Sequence, residues 1–144
     1  MSLKIALEMS KKGNIEDWVH NFLIQPDPHG NIGLLNGLKL QKRYWIGPIK
    51  IALSNLIQGC GPDPSFQFYE KKENWIVTIE KFVNKLKNGE IPPPLITEFH
   101  NNLIHIADGN HRYAALKEFG YKEYWCIVWF NSEKDYNSFT TQKK

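Results

Sequence analysis

The chain has 144 residues and a formal net charge of +3, with 42% hydrophobic and 13% aromatic residues. This length suits a single domain, 1–144, with its own hydrophobic core, and the apolar content excludes a disordered chain. The charge is compatible with phosphate ligands but too low to indicate nucleic-acid binding by itself. Two cysteines suggest neither a disulfide framework nor a metal site. No segment has the pattern of a signal peptide or the length of a transmembrane helix, so we expect a soluble, cytoplasmic protein without a membrane partner.

The N-terminal segment is predicted to be mostly helical. Helical spacing of apolar residues extends over residues 1–25, with a break at Gly13 and a new helix capped by Asn14. This second helix should end before Pro26, because a residue that precedes proline avoids helical geometry. We expect residues 1–38 to be an N-terminal addition to the domain. This addition should serve in packing or dimerisation rather than as a lid over the site.

The next segments have polar and flexible compositions. Pro26–Leu38 is rich in proline, glycine and asparagine and is predicted to be a loop, in which His29 is interpreted as a solvated histidine. The run Lys39–Trp45 places three cations beside two aromatic residues, which could stack bases and contact phosphates. We favour the alternative, an exposed strand surface with its aromatic residues turned to the core. Cys60 is interpreted as a structural cysteine, because nothing nearby in the sequence would lower its pKa.

Several regular elements follow from periodicity. The alternating, β-rich run Gly47–Leu53 predicts a strand. Glu70–Asn88 predicts a helix with one apolar face, ended by Gly89. The continuously apolar run Glu123–Phe130 predicts a central strand that is buried on both faces. Ser132 is expected to cap a last helix.

The most distinctive stretch is a strand that passes through a tight turn into a helix. The stiff connector Ile91–Pro94 leads into a predicted hairpin of strands Leu95–Phe99 and Leu103–Ala107. The chain then turns at Asp108–Gly109 and should continue as a helix that ends at Gly120. Free backbone N–H groups and the helix dipole at such a helix start favour an anion. The sequence therefore predicts a phosphate site at this turn.

Two residues of the turn are expected to shape and charge the phosphate site. Gly109 allows the turn and lets a phosphate approach without a Cβ in the way. Arg112 lies one helical turn further on, and its planar fork suits bidentate binding of phosphate. The alternative for Arg112 is a surface salt bridge.

The other three residues have both structural and chemical interpretations. Asn110 is either a phosphate donor or a helix cap. His111 is either a phosphate donor and general acid, or a capping or core-edge histidine. Asp108 is either an N-cap or the key acid, which would ligate Mg2+ held on the phosphates or act as a general base.

The stretch Asp108–Leu116 resembles the signature of the ParB/sulfiredoxin-like superfamily. Members of that superfamily share a Gly-x-x-Arg-x-x-Ala core, here Gly109, Arg112 and Ala115. Sulfiredoxins carry Gly-Cys-His-Arg at this turn, and related free-serine kinases carry Asp-Gly-x-His-Arg. Asn110 stands where a sulfiredoxin has its reactive cysteine, and an amide cannot attack as a thiolate does, so sulfiredoxin chemistry is not expected.

The resemblance covers Gly47–Phe130 and implies a small α/β (α+β) domain, with a short mixed sheet flanked by helices. It implies that the turn grips the phosphates of ATP or another nucleotide, with Mg2+, and supports phosphotransfer or nucleotide hydrolysis at Asp108–Arg112. Two alternatives stay open: a DNA-associated partition or nuclease-like domain, and a non-catalytic ligand-binding module. A homodimer formed through the N-terminal helices is a further expectation.

Overall fold

A computed structural model of the protein describes residues 2–26 and 30–142, which include six α-helices and seven strands. The helices are α1 (Leu3–Lys11), α2 (Ile15–Leu23), α3 (Ile32–Leu38), α4 (Lys72–Lys87), α5 (Asn110–Phe119) and α6 (Glu133–Gln142). The strands are β1 (Tyr44–Ala52), β2 (Leu56–Ile57), β3 (Cys60–Gly61), β4 (Phe68–Tyr69), β5 (Leu95–His100), β6 (Leu103–Asp108) and β7 (Glu123–Phe130). A short 3-10 turn connects β1 to β2.

Five strands form one mixed sheet in the order β1-β7-β5-β6-β2. β7 lies antiparallel to β1 and parallel to β5, while β5 and β6 form an antiparallel hairpin. β2 pairs with β6 in parallel, and β3 and β4 form a separate parallel pair. The predicted fold class, a small mixed sheet flanked by helices, is thus confirmed, and so is the hairpin before the turn.

Each face of the sheet carries its own hydrophobic cluster. Trp18, Phe22 and Leu35 come from α2 and α3 and pack with Ile127 of β7 in one cluster. The other cluster joins buried residues of α4, α5 and α6 to the opposite face of the same strands. Because both faces are covered, β7 is buried on each side, as the continuous apolarity of its sequence predicts.

The ends of the later helices follow local sequence signals. Gly89 and Gly120, with φ of 84° and 108°, end α4 and α5 in left-handed conformations. Glycine adopts such angles without the steric cost that other residues pay. Before α6, the Ser132 hydroxyl accepts a hydrogen bond from the Asp135 N–H at 3.1 Å, which satisfies one of the free donors of the first turn.

The loop predicted over Pro26–Leu38 is wrong in its second half. Ile32–Leu38 is a helix, and the Asn31 side chain caps it by accepting a hydrogen bond from the Leu34 N–H at 3.1 Å. Its glycines and asparagine suggest a loop, but burial of Leu35 and other apolar side chains against α2 and the sheet overrides that local preference. Residues 27–29 lie outside the described residues, so the interpretation of His29 stays a prediction.

Two other boundaries differ in detail. Asn14 precedes α2 as predicted, but its side chain makes no capping hydrogen bond. β1 begins at Tyr44, three residues before the predicted start at Gly47, and a register shift interrupts its pairing with β7 between Ile46 and Ile49. Among the described residues, no helix is long and apolar enough to cross a membrane.

Candidate functional site

The turn after β6 leaves the start of α5 without a side-chain cap. Asp108 closes β6, and Gly109 occupies the N-cap position with φ of 107°. The Tyr113 N–H makes the first intrahelical bond, to the Gly109 carbonyl at 2.8 Å. The N–H groups of the three preceding residues, 110–112, therefore have no carbonyl partner within the helix. Together with the helix dipole, they make this end of α5 attractive to an anion.

Gly109 is required by packing as well as by its backbone angle. A Cβ at this position would lie 2.8 Å from Arg112 Nη2 and 2.8 Å from Leu95 Cδ2. The space that a side chain would need is therefore already filled from inside the protein. The space predicted to admit an approaching phosphate is therefore occupied by the side chains of Arg112 and Leu95.

The turn forms one wall of a cleft with a volume of about 870 Å3. Asp108, Gly109, Asn110 and His111 all line it, so four of the five predicted site residues come together. The other walls come from α3, the β5–β6 hairpin and the segment around β3 and β4. Their polar and aromatic residues include Asn31, Gln67, Phe68, Glu98, His100, His105 and Trp129.

Arg112 has different surroundings from the other turn residues. Only 6% of its surface is exposed, and it is not among the residues that line the cleft. Nη2 donates to the Pro94 carbonyl at 3.0 Å and lies 3.6 Å from Asp108 Oδ2. Burial lowers the pKa of the guanidinium, and Asp108 acts in the opposite direction. The bidentate phosphate contact predicted for Arg112 would require the guanidinium to leave these partners.

Asp108 is held by two neighbours rather than acting as the helix cap. Its side chain is 15% exposed, and Oδ2 faces Arg112. Oδ1 accepts a long hydrogen bond from Asn31 Nδ2 at 3.5 Å. No group of three or more His, Cys, Asp or Glu side chains is placed to hold a metal ion within residues 2–26 and 30–142. Asp108 could therefore ligate a Mg2+ ion only if phosphate and water supplied most of the other ligands of the ion.

Asn110 links the turn to the loop before β3. Its Oδ1 accepts a hydrogen bond from the Gly59 N–H at 2.8 Å. The side chain thus positions the opposite wall of the cleft and does not cap its own helix. The amide group Nδ2 is the part of Asn110 that can still donate to a ligand.

His111 pairs with the carboxylate of Glu70, a residue that the sequence does not indicate as part of the site. Its Nε2 lies 2.7 Å from Glu70 Oε2, and its ring packs on Trp75 with the ring centroids 4.7 Å apart. The side chains of His111 and Glu70 are 31% and 24% exposed. Glu70 is 41 residues away in sequence and lies two residues before the start of α4, so nothing local marks it as a partner. The carboxylate orients the imidazole, as in acid–base pairs of many active sites.

Cys60 also lines the cleft, but its surroundings disfavour a thiolate. Its Sγ lies 4.0 Å from Glu70 Oε2. Burial and then the negative charge of Glu70 raise the pKa of the thiol. A protonated thiol is a poor nucleophile, which agrees with the interpretation of Cys60 as structural.

In the basic and aromatic run Lys39–Trp45, the two aromatic residues Tyr44 and Trp45 pack against the core clusters, while residues 39–42 are exposed. Arg43 donates to two backbone carbonyls at the end of α3 and to Asn131. Trp45 Nε1 donates to Glu16 Oε2 at 2.7 Å, and its ring packs near Trp129 at 6.2 Å between centroids. The Arg43 guanidinium and the Trp45 ring are thus engaged in contacts within the fold. This agrees with the favoured alternative, in which the aromatic residues of the run are turned to the core.

Comparison with known proteins returns structural likeness only. No family model matches the sequence. No curated protein matches it. Among solved structures, sulfiredoxin from Arabidopsis thaliana is similar, with 12% identity, a TM-score of 0.45 and coverage of 64% of this chain and 94% of that one. A Pnob8-like ParB-N domain is similar with 18% identity and a TM-score of 0.43, covering 69% of this chain and 37% of that one.

A second structure of the pNOB8-like ParB N-domain gives 15% identity and a TM-score of 0.41, covering 71% of this chain and 35% of that one. The chain thus spans little more than a third of the ParB chains that it resembles. The ParB/sulfiredoxin-like resemblance predicted from the turn is the one that the structural comparison returns. Likeness at these identities and TM-scores does not extend to ligands or reactions.

Proposed function

We propose that the protein binds a nucleotide, with the phosphates at the start of α5 and the remainder of the nucleotide in the 870 Å3 cleft. The observation that carries this proposal is the opening of an uncapped helix N-terminus directly into a large cleft. Backbone N–H groups and the helix dipole bind phosphate without any basic side chain. The volume lies within the range of small-molecule sites, about 300–1,000 Å3.

The cleft walls offer partners for both ends of a nucleotide. Asn110 Nδ2 lies beside the helix N-terminus and can donate to a phosphate oxygen. Phe68, with 62% of its surface exposed, is an aromatic surface at the cleft wall on which a base could stack. Asn31 and Gln67 supply amides that could hydrogen-bond a base or a sugar. This combination of stacking surface, amides and phosphate-binding helix end fits a nucleotide better than free phosphate.

A phosphotransferase or nucleotide-hydrolysing activity is part of this proposal. His111 would act as the general acid or base, with Glu70 orienting its ring through Nε2. Asp108 would position Mg2+ that arrives with the nucleotide, which supplies charge neutralisation of the phosphates. Arg112 would be a positioning residue that holds Asp108 from behind the turn. Saturable binding without turnover would instead identify a non-catalytic binding module.

Isothermal titration calorimetry with ATP, ADP, CTP, GTP and inorganic phosphate, with and without Mg2+, tests the proposal. The sharpest variant is Asn110→Asp, because an aspartate oxygen can still accept the Gly59 N–H and suits a helix N-terminus. The new charge repels phosphate, so the affinity for the nucleotide should fall at least about tenfold, which corresponds to about 1.4 kcal/mol. This loss is a fraction of the repulsion expected between two like charges about 4 Å apart.

Asn137→Asp is the matched control for this experiment. Asn137 lies exposed on α6, outside the cleft, and the substitution changes the net charge equally. The proposal predicts wild-type affinity for this control. Equal loss in both variants would indicate a general charge effect, and absence of binding of every nucleotide would refute the proposed function. Phosphate release measured for the nucleotide that binds then separates an enzyme from a binding module.

A further inference from the structure

The nucleotide cleft carries a carboxylate at the end remote from α5. Glu98 of β5 lines the cleft and lies opposite His105 of β6 in the antiparallel pair. From His105, β6 continues for three residues to Asp108, which closes the strand beside the start of α5. At about 3.4 Å per residue, the backbone at Glu98 lies about 10 Å from the proposed phosphate site. A ligand that is held at both ends must span this distance.

Hydrogen bonds behind Glu98 fix the direction of its carboxylate. The Arg43 guanidinium donates to Asn131 Oδ1, so the amide nitrogen of Asn131 faces the carboxylate. Asn131 Nδ2 then donates to Glu98 Oε2 at 2.8 Å. Glu98 Oε1 has no hydrogen-bond partner among the described residues, and protein atoms do not enclose it. One carboxylate oxygen is thus held by the protein, while the other is open to a ligand.

Two histidines complete this end of the cleft. His105 is the cross-strand neighbour of Glu98, and His100 lies two residues further along β5, on the same face of the sheet. The two imidazole centroids are 6.4 Å apart, and both residues line the cleft. A neutral imidazole supplies one donor and one acceptor, whereas an ionised carboxylate only accepts. The ligand group that fits must therefore both donate and accept hydrogen bonds.

A pair of hydroxyl groups on neighbouring carbons meets this requirement. Each hydroxyl donates one hydrogen bond, which Glu98 can accept, and its oxygen can accept from an imidazole N–H. An ammonium group only donates, so it would leave the imidazole N–H groups unmatched. In dinucleotide-binding α/β folds, a carboxylate binds a ribose hydroxyl in this way. The ribose of a nucleotide is thus the part whose chemistry suits this end of the cleft.

We propose that Glu98 binds the ribose hydroxyls of the nucleotide and thereby selects ribonucleotides over deoxyribonucleotides. This role of Glu98 rests on the proposed function, because that function places the phosphates at the start of α5. With the phosphates there, a diphosphate or triphosphate chain bridges the gap of about 10 Å towards Glu98. His100 and His105 contribute hydrogen bonds to the same hydroxyl groups.

Isothermal titration calorimetry of the folded chain with ATP, CTP and GTP, each beside its 2′,3′-dideoxy form, tests this role. The two forms carry the same phosphates and the same charge, so the ratio of their affinities isolates the hydroxyl groups. Loss of hydrogen bonds to a charged group should weaken binding of the dideoxy form at least about tenfold. Equal affinities for the two forms would overturn the role of Glu98 and leave nucleotide binding in place. Failure of both forms to bind would refute the proposed function and this role with it.

Glu98→Gln assigns the preference to this residue. Because Asn131 Nδ2 needs an acceptor, the new amide oxygen should face Asn131 and the amide NH2 group should face the ligand. The preference for the ribose form should then fall to about threefold or less, because at most a neutral hydrogen bond remains. Glu80→Gln is the matched control, since Glu80 is exposed on α4, outside the cleft, and loses the same charge. A preference that Glu98→Gln retains, or that both variants lose equally, would overturn the role of Glu98.

Discussion

Gly109 meets two separate demands of the turn. Its φ of 107° places it in the left-handed region, and a Cβ would lie 2.8 Å from both Arg112 Nη2 and Leu95 Cδ2. The left-handed angle alone is strained for any residue with a side chain. The close approach of Leu95 and the Arg112 guanidinium means that the surrounding structure would also have to move. Gly109 is therefore the residue on which the geometry of the turn depends most.

Gly109→Ala should lower the free energy of unfolding by about 1–3 kcal/mol, the usual cost of a strained backbone position. Urea denaturation of the purified variant measures the change. Gly37→Ala is the matched control, because Gly37 lies within α3 and a Cβ there would meet nothing within 4 Å. Alanine in a helix should stabilise this control by about 0.5–1 kcal/mol. Equal effects in the two variants would contradict the account of the turn.

Local sequence reasoning identified the turn residues but not their partners. Asp108, Asn110 and His111 lie close together because they are near neighbours in sequence at the start of a helix. The position of Arg112 does not follow from its spacing, because burial under the turn decides where its side chain lies. The Glu70 partner of His111 depends on how the segment before α4 folds back onto the turn, through the hydrogen bond from the Glu70 N–H to the Gly61 carbonyl at 2.9 Å.

At the scale of elements, strongly patterned segments were predicted and weakly patterned ones were not. The long amphipathic α4, the hairpin of β5 and β6, and the apolar β7 all have periodicity that one window of sequence contains. α3 has two glycines and an asparagine in seven residues, so its local signal is that of a loop. Packing against α2 and the sheet supplies the stability that its sequence lacks, and no local window contains that information.

The N-terminal helices contribute most of one of the two hydrophobic clusters, and Trp18 is its largest fully buried side chain. Trp18 is fully buried and stacks on Phe22, with ring centroids 4.9 Å apart. Trp18→Ala should destabilise the whole chain by about 3–5 kcal/mol, as expected for loss of a large buried side chain. Ile24→Ala, at a position 59% exposed, should change stability by less than about 0.5 kcal/mol. Urea denaturation compares the two, and a small loss for Trp18→Ala would show that these helices do not pack as described.

Tyr124 connects β7 to the proline connector, and this contact should depend on pH. Its hydroxyl donates to the Pro92 carbonyl, and burial raises the pKa of the phenol above its ordinary value. The unfolded chain ionises at about pH 10, whereas the folded chain still holds the phenol neutral. The stability that Tyr124 contributes is therefore present below about pH 10 and is lost as pH rises above it.

Tyr124→Phe should cost about 1 kcal/mol at pH 7, because it removes a hydrogen bond and leaves the Pro92 carbonyl without this donor. The gap in stability between wild type and variant should narrow as pH rises above about 10. Urea denaturation at several pH values between 7 and 11 measures the gap. Tyr69→Phe, at a position 57% exposed, is the control for loss of a phenol hydroxyl and should change stability at pH 7 by less than about 0.5 kcal/mol. A gap for Tyr124→Phe that does not vary with pH would contradict the assigned role.

At the scale of the whole molecule, the cleft is assembled from distant parts of the chain. Its lining extends from Asn31, before α3, through Phe68 of β4 and the β5–β6 hairpin to Trp129 of β7. The longest contiguous part of the lining is residues 105–111, and the remaining residues come from distant segments, so the sequence alone indicated only the wall at Asp108–His111. The packing of the N-terminal helices on one sheet face brings Asn31 within 3.5 Å of Asp108. The proposed nucleotide site is thus a property of the complete fold rather than of the turn by itself.

Phosphate binding at the start of α5 can be followed directly through the backbone amide signals at that position. We would titrate 15N-labelled protein with inorganic phosphate and with the nucleotide of highest affinity, and follow the amides of Asn110, His111 and Arg112. Binding at the start of α5 should give saturable shifts of these three amides with one common dissociation constant, while the amide of Asn137 on α6 stays unchanged. Shifts confined to other regions, or no shift at any concentration, would rule out a phosphate site at this turn.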